Sequence, residues 1–338
     1  MKRLPLFCIA LGSVVATAVL AQSTAPMMKA IVVHEYGGPK VLKYEDAPRP
    51  EPKDDEVLIR TMAASVNPVD AAIRSGRFRS EHLPFIPGLD VAGVVEKIGT
   101  KVTKFKAGDP VYAYLSFGEQ GGYAEFTIAK ENETATKPKG IGFEQAAAVP
   151  LAATTAWQAL IDTAGLKPGQ TVLIHGGSGG VGHFAIQIAK ARGAKVIATA
   201  STPNQDLLKQ LGTDQPIDYT KTKFEDVVKD VDVVLEATRS DSMARSYGVV
   251  KKGGFVVSIT GEPDQAQLDQ HGLRGTSIMA HPDANVLNEL TKLIEAKKLV
   301  PIVSQVFQLT GANKAHQQIE TRHTRGKIVL RVAEEDKK

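Results

Sequence analysis

Thr171-Val-Leu-Ile-His-Gly-Gly-Ser-Gly-Gly-Val-Gly182, read with the residues that follow it to Ser201, decides the fold. The apolar run 171–175 has the length and composition of a short buried strand, and a glycine-rich loop, 176–182, follows it directly. Val181, Ala185, Ile188 and Ala189 then recur at i, i+4, i+7 and i+8, the spacing of one helix face. Gly193 closes that helix, and Lys195-Val-Ile-Ala-Thr-Ala-Ser201 reads as a second strand. Gly177, Gly179 and Gly182 therefore spell G-x-G-x-x-G between a strand and a helix, the setting in which that spacing signals dinucleotide binding. Glycines let the backbone approach a pyrophosphate, and a helix N-terminus offers free N–H groups and partial positive charge. Gly177, Ser178, Gly179, Gly180, Val181 and Gly182 are thus the predicted pyrophosphate cradle.

A protein that selects NAD places Asp or Glu about 20 residues beyond the first glycine, on the ribose 2′-hydroxyl. Here the second strand ends Thr199-Ala200-Ser201-Thr202, and the next acid is Asp206. Hydroxyl donors stand where a carboxylate would repel a 2′-phosphate, which predicts NADP(H) as the cofactor.

The length of 338 residues suggests two domains, and 43% hydrophobic with 23% charged residues is ordinary for a globular chain. The net charge is +4, but Lys and Arg are scattered, so no basic block points to nucleic acid. Lys2 and Arg3 precede an uncharged run, 4–21, with Val19 and Ala21 at the positions a signal peptidase reads. Residues 1–21 are therefore expected to be a signal peptide cleaved after Ala21, giving a periplasmic or secreted chain with no stable membrane span. Two other readings stay open: an uncleaved anchor, or translation from Met27 or Met28, which would leave the protein cytoplasmic. The only cysteine, Cys8, lies in this segment, so the mature chain cannot build a cysteine zinc site.

From Met28 the chain reads as short strands at 29–34, 57–63, 91–98, 111–114 and 123–128, separated by Pro- and Gly-rich turns. Near Phe143 the period becomes helical, at 145–148 and 154–162. Strands at 171–175, 195–200, 231–235 and 254–259 then alternate with helices at 180–192, 204–211, 241–250 and 284–297. That alternation predicts a doubly wound parallel sheet. The expected division is a β-rich domain over 28–150, completed by 300–333 through the strand 327–332, and an α/β domain over 151–299.

Several segments together resemble the zinc-free quinone oxidoreductase-like branch of the medium-chain dehydrogenase/reductase family. They are Met28-Lys-Ala-Ile-Val32, Ser65-Val-Asn-Pro-Val-Asp70, Pro84-Phe-Ile-Pro-Gly-Leu-Asp-Val-Ala-Gly-Val94, Gly121-Gly-Tyr-Ala-Glu-Phe126, Ala146-Ala-Ala-Val-Pro150, Thr155-Ala-Trp-Gln-Ala-Leu160, the glycine loop and His323-Thr-Arg-Gly-Lys-Ile-Val329. The resemblance implies a GroES-like β domain beside a Rossmann domain, an active site between them, and a homodimer. Zinc-dependent relatives carry Cys near Asn67 and a His-Glu pair where Leu89-Asp90 stands, so a metal site is not expected. Without a Lewis acid, alcohol oxidation is disfavoured, whereas a quinone or a C=C conjugated to a carbonyl needs only positioning and hydrogen bonds to its oxygen.

By resemblance, Asn67 is the catalytic candidate, under the nicotinamide and beside the substrate carbonyl; its competing role is to organise the loop before Pro68. The family often has an aromatic residue near Ala72, so the proton donor is left open. Thr155 resembles a threonine that orients the cofactor, against simple capping of the helix that starts there. Ser201, Tyr219 and Arg322 match positions that meet the 2′-phosphate, while Tyr219 could instead be a rim residue and Arg322 a solvated helix-end charge. Lys327, after a glycine turn, reaches toward the cofactor, and Thr260 completes the cofactor-binding set. Glu236-Ala-Thr-Arg-Ser240 departs from the family's acid-Val-Gly-Gly turn, and His175 and His183 read as structural. The expected activity is NADPH-dependent hydride transfer to a quinone or enone; the alternative is a nucleotide-binding protein without turnover.

Overall fold

The computed structural model describes residues 26–78, 82–118 and 120–334. The expected signal peptide, 1–21, lies outside the described residues. Two large sheets organise the chain. The first has six parallel strands in the order Gln215–Asp218, Lys195–Ala200, Thr171–His175, Val231–Glu236, Val250–Ser258 and Arg274–Ser277. Numbered along the chain this is 3-2-1-4-5-6, the doubly wound order whose ligands bind at the strands' C-terminal ends, where the order reverses. Side-chain alternation splits each central strand between two layers. Val172, Ile174, Val233, Leu235 and Val257 pack into one apolar cluster, and Leu173, Val234 and Val256 into the other. Burial on both faces explains why these strands read as continuous apolar runs.

The second sheet has seven strands arranged around the long strand Glu56–Val66. That strand pairs with Asp90–Ile98 along its length, with Phe126–Lys130 at its start and with Lys327–Arg331 at its end, all antiparallel. Pro110–Tyr114 and Thr134–Thr136 extend the sheet on one side, Val303–Gln308 on the other. A smaller pair joins Met27–Val33 to Leu42–Pro48. The GroES-like β domain and the parallel-sheet Rossmann domain are thus both present.

Differences from the sequence reading have local causes. The helix expected over 154–162 starts earlier, as Pro150–Trp157, because Pro150 is preorganised for a first helical turn; a wider π-type turn, Gln158–Thr163, follows. Leu42–Pro48, Thr134–Thr136, Gln215–Asp218, Arg274–Ser277 and Val303–Gln308 were not foreseen. Gln215–Asp218, Arg274–Ser277 and Val303–Gln308 are edge strands with mostly half-buried or exposed side chains, so they carry little apolar alternation.

Three histidines are sealed in this framework. His175 meets Thr199 Oγ1 at 3.2 Å and Ser246 Oγ at 2.9 Å, and its ring lies edge-on to Phe224. His183 donates from Nδ1 to the Gly179 carbonyl (2.9 Å) and accepts from the Ile302 N–H at Nε2 (3.4 Å). His316, on the helix Ala312–Glu320, is fully buried. Burial pushes them down to about 3, 4 and 3 respectively. Each binds a proton in the unfolded chain below about 6.5 but stays neutral in the folded one until pH 3 to 4. Stability is therefore lost as pH falls through that window, by up to ~1.4 kcal/mol per pH unit for each histidine. A His175→Gln variant is expected to show a shallower fall of Tm between pH 7 and pH 5 than the wild type, by the equivalent of about one proton in calorimetry. An unchanged slope would mean that His175 does not stay neutral.

Candidate functional site

The pyrophosphate loop is shaped by sterics. A Cβ on Gly182 would sit 2.1 Å from the Gly176 carbonyl oxygen, and one on Gly177 2.9 Å from both Ala198 Cβ and Leu208 Cδ2. These two positions exclude any side chain, because the helix Gly182–Ala191 begins directly against the preceding turn. Gly177 N–H donates to Thr199 O (2.9 Å) and Gly179 N–H to Gly176 O (3.0 Å). Among the described residues, Gly180, Val181 and Gly182 show no backbone N–H bond of this kind, which leaves three donors at the helix start. The loop is also tied to the C-terminal segment, since Gly326 N–H donates to Ser178 O at 2.9 Å.

That tie places Lys327. Its stem runs past Gly180, with Cδ 3.4 Å from where a Cβ on that glycine would be. Its Nζ enters the β domain and donates to Asn67 Oδ1 at 2.5 Å, 3.4 Å from Asp90 Oδ2. Strand register explains the meeting. Ile328 pairs with Val66 and Asp90 with Ser65, so one end of the central strand carries Asn67, Asp90 and Lys327 together. Asn67 Nδ2 donates to Asp90 Oδ2 (2.8 Å), and the Leu151 N–H, in the first turn of the helix Pro150–Trp157, donates to Asp90 Oδ1 (2.6 Å). All three polar side chains are nearly completely buried.

Behind them lies a second buried network. Asn67 is the N-cap residue of the helix Pro68–Arg74, and its N–H donates to Asp70 Oδ2 at 2.8 Å. Arg74 Nη1 donates to His316 Nδ1 (3.3 Å), leaving His316 Nε2 to donate to the Tyr123 hydroxyl (3.2 Å), which donates to Asp70 Oδ2 (3.0 Å). Arg74 Nη2 also pairs with Glu320 Oε1 at 2.5 Å. Desolvation is the main cause that pushes Asp70 up to about 7, opposed by the Asn67 N–H. The loop-organising role considered for Asn67 is met by its backbone, which bonds Asp70 at the helix start, while its amide faces Lys327 and Asp90.

At the far end of the parallel sheet, Ser201 follows Lys195–Ala200 and Tyr219 follows Gln215–Asp218. The two strands are in register, Asp218 opposite Ala200, and Tyr219 N–H donates to Ala200 O at 3.2 Å. Ser201 and Tyr219 are thus brought to one rim, Tyr219 largely exposed and Ser201 Oγ accepting from Asn204 Nδ2 (3.1 Å).

Thr155 lies inside the helix Pro150–Trp157 and donates from Oγ1 to Leu151 O at 2.7 Å, which removes the capping role weighed against cofactor contact. Thr260 follows Val250–Ser258, with its N–H on Ser258 Oγ (3.1 Å). Glu236 is buried and accepts from the Thr238 N–H and hydroxyl (2.6 Å each) and from the Ser242 hydroxyl (2.5 Å), so the 236–240 turn closes on itself. Arg322 sits exposed in a turn with φ of 61°, apart from the buried cluster. Sequence reasoning did not single out Asp70, Asp90, Tyr123, Arg74 or His316 as functional. The available signal was a carboxylate in an otherwise apolar run, Leu89-Asp-Val-Ala92, and beside a helix start, Asn67-Pro-Val-Asp70.

These residues do not fit a zinc ion. An ammonium group already lies against Asp90, Asn67 offers only an amide, and the described residues contain no group of three His, Cys, Asp or Glu able to hold a metal. They do fit a dinucleotide, whose pyrophosphate the N–H groups at Gly180–Gly182 would hold at the helix start.

Comparison with known proteins supports the dinucleotide. The family described as "Alcohol dehydrogenase GroES-like domain" matches residues 53–139, and "Zinc-binding dehydrogenase" matches 211–330. The chain is 41% identical to the NADPH-dependent alkenal/one oxidoreductase, chloroplastic, of Arabidopsis thaliana, over 92% of this chain and 82% of that protein. It is 34% identical to the quinone oxidoreductase of Sus scrofa, over 90% and 98% respectively. The crystal structure of Escherichia coli quinone oxidoreductase complexed with NADPH matches with a TM-score of 0.82 at 30% identity, covering 90% of this chain and 100% of that one. The chain belongs to the quinone oxidoreductase-like branch of the medium-chain dehydrogenase/reductase family.

Proposed function

We propose that this protein is an NADPH-dependent reductase of quinones and of alkenes conjugated to a carbonyl, acting without zinc. The observation that carries the reading is the buried Lys327 ammonium, held on Asn67 and Asp90 beside the glycine loop. The names of the relatives support the same chemistry. Bound NADPH supplies a hydride from its nicotinamide. The free N–H groups at Gly180–Gly182 hold the pyrophosphate, and Ser201 and Tyr219 meet the adenosine end. Lys327 Nζ and Asn67 Nδ2 supply N–H donors where the substrate oxygen gains negative charge. A donor fixed in a low-dielectric site needs no rearrangement as that charge develops. Asp90 and the Leu151 N–H hold these two side chains in place, and Asp70 holds the Asn67 backbone. Thr155, on the helix that Pro150 begins, and Thr260 line the nicotinamide side; Arg322 stands at the mouth. The same reading includes a homodimer and an exported mature chain starting at Gln22. Light scattering checks the first, and N-terminal sequencing of the natural protein checks the second, where Met1 or Met28 would contradict export.

NADPH at 100 times its dissociation constant should raise the unfolding free energy by ~2.7 kcal/mol, visible as a shift in Tm, and NADPH should be oxidised by at least one of a set of quinones and enones. Binding without oxidation of any of them would favour the non-catalytic alternative; no binding would end both readings. Lys327→Met is expected to lower kcat by about 10²–10³ while leaving NADPH affinity within about threefold, because the lost donor acts where charge develops. An unchanged kcat would remove Lys327 from the chemistry. Prolonged dialysis against EDTA should leave activity intact, and a loss restored by zinc would overturn the metal-free part of the reading.

A further inference from the structure

Two tyrosines of the β domain reach into the parallel-sheet domain from a single strand. In Pro110–Tyr114, Val111 and Ala113 turn to a cluster with Val57, Ile59 and Val91, so Tyr112 and Tyr114 share the other face. The Tyr112 hydroxyl donates to the Leu287 carbonyl (2.6 Å) and lies 2.9 Å from Thr291 Oγ1, both on the helix Ala284–Glu295. The Tyr114 hydroxyl donates to the Ala280 carbonyl at 2.9 Å, in the loop that leads into that helix. Both tyrosines are buried, where a hydroxyl without a partner is costly. Burial, with the charges of Asp90 and Asp70 adding to it, pushes the Tyr114 phenol up, so it stays a neutral donor at any working pH.

The loop that Tyr114 holds has a particular place. It leaves the C-terminal end of Arg274–Ser277, the sixth strand, on the same edge of the sheet as the glycine loop. In the order 3-2-1-4-5-6, strands 1 to 3 form one mononucleotide half and strands 4 to 6 the other. Ser201 and Tyr219 follow strands 2 and 3, so the loops after strands 4 to 6 belong to the nicotinamide half. A second anchor holds the next residue. Gln158, also buried, donates from Nε2 to the His281 carbonyl (3.0 Å) and accepts the His281 N–H at Oε1 (3.1 Å).

Both anchors lead back to Asp90. Tyr114 lies directly opposite it across the strand pair, and Gln158 continues the helix whose Leu151 N–H donates to Asp90 Oδ1. The carboxylate that holds Lys327 and Asn67 is thus tied to both side chains that fix Ala280 and His281.

We propose that Tyr114 and Gln158 are positioning residues for hydride transfer: together they fix the Ala280–His281 loop of the nicotinamide half relative to Lys327 and Asn67. The inference rests on the reductase reading above and goes beyond it by assigning the alignment of the two domains' reacting groups to two side chains. Tyr112 is the internal control, because its bond is of the same kind but holds a helix and not this loop.

The test compares the wild type with Tyr114→Phe, Gln158→Met and Tyr112→Phe. Single-turnover reduction of a quinone that the wild type accepts is followed with NADPH and with NADPH deuterated at C4, which isolates the hydride step. The time-resolved anisotropy of nicotinamide fluorescence is recorded separately for bound NADPH without substrate. Tyr114→Phe and Gln158→Met are each expected to slow hydride transfer about tenfold, because a small misplacement of reacting groups is costly. KM for NADPH should change by less than about threefold, and the anisotropy decay should gain a fast local component. Tyr112→Phe is expected to lower Tm alone, with both readouts as in the wild type. An unchanged hydride-transfer rate in Tyr114→Phe overturns the proposal. So does an equal fall in Tyr114→Phe and Tyr112→Phe, which would mark a general loosening of the domains. If Tyr114→Phe does not fold, Gln158→Met decides, and a wild-type rate and decay there overturn the proposal. A wild type that oxidises no NADPH with any quinone or enone is a separate failure, since it removes the reductase reading, and the proposal with it, before any variant is made.

Discussion

The buried contact of Lys327 with Asn67 and Asp90 is the constraint on which the rest of the site depends. A lysine and an aspartate taken out of water are costly unless both are fully hydrogen-bonded. Here Asp90 accepts from Asn67, Leu151 and Lys327, three donors supplied by three different segments. The cluster forms only if Glu56–Val66 pairs in the observed register with Asp90–Ile98 on one side and Lys327–Arg331 on the other. A slip of one residue would turn Lys327 to the opposite face. The same contact joins the domains, because Leu151 lies in the first turn of a helix packed on the parallel sheet's side of the molecule while Gly326 is bonded to Ser178 of the glycine loop. Cleft chemistry and domain docking thus share one set of side chains.

The glycine loop is the second constraint, and its residues serve distinct ends. Gly177 and Gly182 are required by contact with protein atoms: no Cβ fits against Ala198, Leu208 or the Gly176 carbonyl. Gly179 and Gly180 have looser surroundings, with nearest atoms at 3.3 and 3.4 Å, so their lack of a side chain is better explained by what the loop must admit. The first pair makes the strand-to-helix turn possible, and the second leaves the helix N–H groups accessible.

Much of this was legible from the chain. The strands 171–175 and 195–200 were read to their ends, because buried parallel strands show as unbroken apolar runs. The glycine loop was legible from its place between a strand and a helix, while Asn67 and Lys327 were singled out by family resemblance, and the fold brings these two together. What was missed was missed for physical reasons. The start of the helix carrying Thr155 was placed at 154, and Pro150 starts it four residues earlier, which excludes the capping alternative for Thr155. Asp70, Tyr123, Arg74 and His316 lie up to 246 residues apart along the chain, on elements whose packing no local pattern encodes. Each looks like an ordinary polar residue until tertiary contact makes Asp70 the final acceptor in a row of donors.

The acid rule for nucleotide selection shows the same limit in sharper form. It counts residues along one strand, but the rim at which that strand ends is formed by two. The stretch 196–205 contains no acid, which is true and points to NADP(H). The neighbouring strand nonetheless ends with Asp218 in contact with Thr202, a residue of that stretch. A sheet spaces adjacent strands about 4.8 Å apart, so a carboxylate one strand over can be as close to the subsite as one on the expected strand. The electrostatics of this rim are therefore set by strand order and register as much as by the residues that follow the glycine motif. In a doubly wound sheet, the side chain that ends the third strand has to be counted together with the one that ends the second.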